Sequence, residues 1–215
     1  MTATVERMLP LYEAKMIHQF DHRWATYDPD GSVRDVTLAE KQDPTFVALP
    51  RYWVREEVVR DRLGDRWNHD WLLGWRDICR STDERTMIAS QLPVSAVGHT
   101  MPLALTTAVD PALLQSLWSS FVFDYVARQK VGGTHMTYGY LTQLATALPQ
   151  TSPPWRTGQP EWFTSRARFL QTPQSWTTNI RVRAELDAAW FHIFGLGRED
   201  VDYIMESFPI VKRKD

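Results

Sequence analysis

The chain has 215 residues, 43% hydrophobic and 23% charged, with a formal net charge of −2. That length buries a sizeable core without metal or disulfide staples, and that charge excludes a surface holding nucleic acid by bulk attraction alone. A single cysteine, Cys79, excludes an intrachain disulfide, and no apolar run approaches the length of a bilayer span.

The first eight residues read as a loose lead-in and not as a signal peptide, so a cytoplasmic protein is expected. Residues 9–27 are aromatic and dense, and Asp28-Pro29-Asp30-Gly31 is a strong turn signal. Residues 32–43 are polar and read as a surface loop. A short strand is predicted at 52–54 and a helix at 55–63, with Val58, Val59 and Leu63 on one side. Segments 71–79, 86–92 and 100–107 read as strands.

Asp110-Pro111 then opens the clearest helical pattern. Asp is a good N-cap, and Pro is tolerated at the first helical position. Leu113, Leu114, Leu117, Trp118, Phe121, Val122 and Tyr125 give one broad apolar face that predicts a continuous helix, stopped by Gly132-Gly133. Helices are also predicted at 180–194, ended by Gly195, and at 198–207. The prolines at 149, 153, 154, 160 and 173 suggest a linker, with 161–170 able to form a helix inside it. The fold class is therefore α+β: a short-stranded sheet in the first half packed with helices, and a helical C-terminal part. The expected domains are 1–149, a linker or irregular segment at 150–178, and a helical tail at 179–215.

The most informative stretch is residues 71–93, WLLGWRDICRSTDERTMIASQLP. It sets Arg76, Arg80 and Arg85 around a polar turn that includes Thr82, between two apolar arms. Planar guanidinium groups grip phosphates or guanine edges with paired hydrogen bonds. A salt-bridged surface is the competing reading, because Asp77, Asp83 and Glu84 are adjacent.

This block resembles one that follows the catalytic domain in Eco57I-like adenine-N6 DNA methyltransferases, which include type IIG restriction-modification enzymes. Three further blocks are similar, in the same order: PLYEAKMIHQFDHRWATY at 10–27, FDYVARQKVGGTH at 123–135, and the tail from 186 with LDAAWFHIFGL and VDYIMESFPIVKRKD. The resemblance implies a non-catalytic DNA target-recognition region. Its DNA contacts would come from Arg76, Arg80, Thr82, Arg85, Arg128, Lys130, Gly132, Gly133, Thr134 and His135. Lys15, His18, His22 and Arg23 would face DNA or the adjoining domain. The catalytic half is missing: no glycine-rich cofactor loop follows an N-terminal apolar strand, and no Asn-Pro-Pro motif occurs. S-adenosylmethionine is thus expected in a separate catalytic domain or subunit, and the chain reads as a fragment, split subunit or remnant. The implied partners are double-stranded DNA and a methyltransferase subunit, with no membrane.

Two other patterns compete. His18, Asp21 and His22 have the i, i+4 histidine spacing of a helical metal site, which would make a small metal-dependent enzyme. Ser152-Pro153-Pro154-Trp155 matches the catalytic signature of cytosine-N4 methyltransferases, but loop-like residues precede it where a buried strand is needed. A third reading is a protein-interaction module that docks a methyltransferase or phage-defence complex.

Overall fold

The computed structural model describes residues 6–149, 155–177 and 179–213. The first half runs β1 (Met8–Tyr12), β2 (Ala25–Tyr27), β3 (Val33–Asp35), α1 (Leu38–Gln42), β4 (Trp53–Arg55), α2 (Glu56–Leu63), β5 (Trp71–Trp75), β6 (Ala89–Pro93), β7 (Ala96–Val97) and β8 (Leu103–Ala104). Helices follow: α3 (Pro111–Trp118), α4 (Phe121–Lys130), α5 (Tyr138–Leu141), α6 (Gln159–Leu170), α7 (Asn179–Ile193), α8 (Arg198–Glu206) and α9 (Pro209–Lys212). The fold is α+β, with small sheets first and helices after them.

Among the described residues, three small sheets are formed. β1 lies between antiparallel β4 and parallel β7, β2 pairs with β3, and β5 lies between antiparallel partners β6 and β8. β5 is the hinge of the whole arrangement, because strand side chains alternate between faces. Leu72 joins a core under the N-terminal sheet, with Leu9, Met16, Val59 and Leu92. Leu73 and Trp75 point the other way, into a larger core with Leu113, Phe123 and Trp190. A strand buried on both faces reads as a near-continuous apolar run, and WLLGW is one. The strand predicted over 100–107 shrinks to the two residues of β8.

The continuous helix expected after Asp110 is broken in two. Asp110 does cap α3, accepting the Ala112 N–H at 2.8 Å. The helix then stops at Trp118, and Ser120 caps α4 by accepting the Phe123 N–H. Serine hydroxyls compete for backbone groups, which favours caps over helix interiors. The Ser120 hydroxyl also donates to the Leu117 carbonyl at 2.7 Å. The break re-aims the chain: α3 packs against α6 and β6, while α4 packs against α7 and α8.

α4 ends before its glycines. The Val131 N–H caps it on the Ala127 carbonyl, and Gly132 and Gly133 follow in an open loop with φ negative. Further along, most of the described part of the expected linker is α6. Its Phe163, Ala167 and Leu170 lie in the larger core, together with Leu186 and Trp190 of α7 and Phe208. One core therefore spans both expected domain boundaries. α7 ends as the sequence predicts, at Gly195 with φ of 71°, a left-handed conformation that glycine adopts without steric cost.

Candidate nucleic-acid interface

The connection from β5 to β6 places its arginines very differently from one another. Arg85 turns inward. Its Nε donates to Asp124 Oδ2 at 2.6 Å, its Nη2 donates to the Ser119 carbonyl, and its guanidinium lies 4.2 Å from the centre of the Phe121 ring. Arg128 is also buried. It donates to the carbonyls of Ser81, Asp83 and Glu84 at 3.1, 2.7 and 2.7 Å and so holds the turn from behind. Asp124, fully buried on α4, completes the cluster by accepting the Thr86 N–H at 2.9 Å. The expectation that Arg85 and Arg128 reach DNA is therefore corrected: the low-dielectric interior favours pairing these charges with each other's surroundings over leaving any one alone.

The remaining candidates stay near the surface. Arg80, Thr82, Lys130, Gly132, Gly133, Thr134 and His135 are exposed. The glycine loop is pinned beside the arginine segment: the Cys79 N–H donates to the Thr134 carbonyl at 3.0 Å, Ile78 bridges to His135, and His135 Nδ1 lies 2.7 Å from Asp77 Oδ2. Two segments more than 50 residues apart in the chain thus form one rim. Among the described residues, Arg80 and Lys130 make no ion pair.

A groove of about 550 Å³ adjoins this rim. Lys15, Tyr52, Arg76, Ile78 and His99 line it. Arg76 is half-buried; its Nε donates to the Ile17 carbonyl at 2.9 Å, and burial lowers its pKa. Lys15 has its pKa raised, first by its contacts with Tyr27 and Glu13. Arg51 lies over the Tyr52 ring at 5.4 Å. Tyr52 and His99 were not singled out in the sequence. The adjacent cation and ring of Arg51-Tyr52 were the sole local signal, and nothing near His99 points to the groove. Asp124 was also passed over, although a lone acid on an apolar helix face is a sign of a buried pair.

The metal reading loses its geometric premise. Residues 18–21 form a tight turn closed by reciprocal backbone hydrogen bonds between His18 and Asp21, so His18 and His22 do not share a helix face. Asp21 is held by Lys41 Nζ at 2.8 Å and by the Arg23 N–H, and Arg23 itself donates to the carbonyls of Lys41, Asp43 and Phe46. Burial pushes His18 down to about 3 and His22 down to about 4. Residues 152–154 of the Ser-Pro-Pro-Trp motif lie outside the described residues. Trp155 packs on Phe163 and Trp190, and its Nε1 donates to the Ala147 carbonyl at 3.1 Å. Cys79 is buried, and burial pushes its thiol up to about 12.

Comparison of the chain with protein-family models, with curated proteins and with solved structures finds no match.

Proposed function

We propose that this chain is a non-catalytic DNA target-recognition module of an adenine-N6 DNA methyltransferase or restriction-modification system. The observation that carries this reading is the exposed rim of Arg80, Lys130 and the 132–135 loop beside a groove bearing Lys15, Arg76 and Tyr52. In a chain of net charge −2, exposed cations such as Arg80 and Lys130 would supply the local attraction that bulk charge does not. The glycine loop offers backbone N–H groups to phosphates, and Tyr52 and His99 offer flat surfaces to an exposed base. S-adenosylmethionine would be bound by a partner catalytic subunit.

A salt titration on a pool of duplexes tests this reading. Wild type should bind weakly, with affinity falling as salt rises. Arg80→Ala and Lys130→Ala should each lower the slope of log affinity against log salt by about one unit if they contact phosphate. A base contact would instead cost about 1–3 kcal/mol on the preferred sequence and flatten discrimination there. Absence of binding at low salt, or unchanged slopes in both variants, overturns the proposal.

One observation favours a second reading, a protein-docking module. Leu49 and Trp53 are both exposed, at 47% and 48%, and line one shallow pocket beside Tyr27. Clustered exposed apolar residues mark protein interfaces more often than DNA contacts. Trp53→Ser that leaves DNA affinity intact but abolishes assembly with a methyltransferase subunit would assign this patch to docking.

A further inference from the structure

A second cavity, of about 310 Å³, opens between the turn at His18, Gln19 and Phe20, the α3–α4 junction and the first turns of α7. Its volume lies at the small end of small-molecule sites. Phe20, Phe121 and Leu186 give it apolar walls. Two of the residues that line it carry buried polar atoms with no hydrogen-bond partner, Arg183 Nε and Ser119 Oγ. Orphaned buried donors are rare in folded proteins, because each one forfeits its hydration without replacement.

Arg183 is the decisive case. Its Nη2 donates to the Gln19 carbonyl at 2.9 Å, and it makes no ion pair among the described residues. Asp187, Asp21 and Glu84 act on its charge from a distance, but among the described residues no carboxylate pairs with it, and its Nε is left without an acceptor. The other cation of the cavity, Arg85, is already matched by Asp124. Asp187 also lines the cavity, but its Oδ1 accepts the Phe121 N–H at 2.8 Å, and burial pushes it up to about 6. Phe20 adds an independent sign. It has φ of 62°, the one positive value at a non-glycine position among the described residues, and such strain gathers at binding sites.

We propose that this cavity binds a small organic oxyanion, its charged group on Arg183 and the Ser119 hydroxyl and its apolar body between Phe20 and Phe121. The site stands apart from the exposed rim and does not depend on the DNA reading. A carboxylate and a phosphate monoester share the chemistry required, so calorimetric titration with benzoate and with phenyl phosphate separates them, and benzamide serves as the neutral control. At least one anion should bind, and benzamide should bind at least about tenfold more weakly, a difference of about 1.4 kcal/mol. Arg183→Gln and Ser119→Ala should each weaken the anion, while Arg80→Ala on the exposed rim should leave it unchanged. Ser119→Ala removes an unpartnered hydroxyl, so it keeps the test valid even if Arg183→Gln does not fold. Equal binding of benzamide and the anions, no binding of either anion, or unchanged affinity in Ser119→Ala overturns the proposal.

Discussion

Asp124 receives Arg85, lies 3.6 Å from Arg128 Nε, and accepts the N–H groups of Thr86 and Met87, all while fully buried. One carboxylate thereby fixes the end of the 76–88 connection to α4. Replacing it by a neutral isostere leaves two buried guanidinium groups without the carboxylate they pair with. Asp124→Asn should therefore destabilise the fold by about 3–5 kcal/mol, read as a shifted midpoint in urea. A loss below about 1 kcal/mol would show the cluster to be far more hydrated than its burial implies. The same residues explain why Arg85 and Arg80, five positions apart, have opposite fates. Sequence spacing describes how far a side chain can reach, not which way the connection turns.

At the scale of elements, the Ser119-Ser120 break is what makes the cavity. A continuous helix through this point would carry α4 away from α7. Ser120 satisfies the Phe123 N–H at the start of α4, so Ser120→Ala should cost about 1 kcal/mol. Ser119→Ala should be close to neutral, because its hydroxyl has no partner to lose. Thermal melts of the two variants check the contrast, and equal losses would contradict the assigned roles. The Ser-Ser pair was visible in the sequence, but the apolar face running past it looked unbroken. Tertiary packing of Leu117 and Trp118 on one side and Val122 and Phe123 on the other allows the axis to bend without losing burial.

At the scale of the molecule, His18 and His22 link stability to pH. Each has its folded pKa depressed from about 6.5, to about 3 and about 4, chiefly by burial. The unfolded chain then takes up protons first, so the stability they carry is complete above about 6.5 and is lost as pH falls through the folded values. Asp187 acts in the opposite direction. Its folded carboxyl, raised to about 6, binds a proton more tightly than the unfolded one, so the fold gains stability between about 6 and 3.8. Two histidines outweigh one acid, and stability should fall by about 2 kcal/mol between about pH 7 and pH 5. Melting curves across that range check it. The pair His18→Gln and His22→Gln should flatten the loss, and an unaltered acid profile in that double variant would overturn the assignment. Among the described residues, no helix is long and apolar enough to cross a membrane.

The α+β class, the caps at Asp110 and Gly195, and the helices near 161–170, 180–194 and 198–207 were legible in the chain itself. These depend on contacts within a few residues, which local pattern encodes. What the sequence left open was the destination of each charge. Arg85 and Arg128 became internal because the fold brings Asp124 and the carbonyls of Ser81, Asp83 and Glu84 to them across tens of residues. Lys15 and Arg76 came to share a groove, and Ile78 came to meet His135, for the same reason. A guanidinium is strongly drawn to whichever acceptor is nearest and least hydrated, and distance in space is a property of the tertiary structure alone.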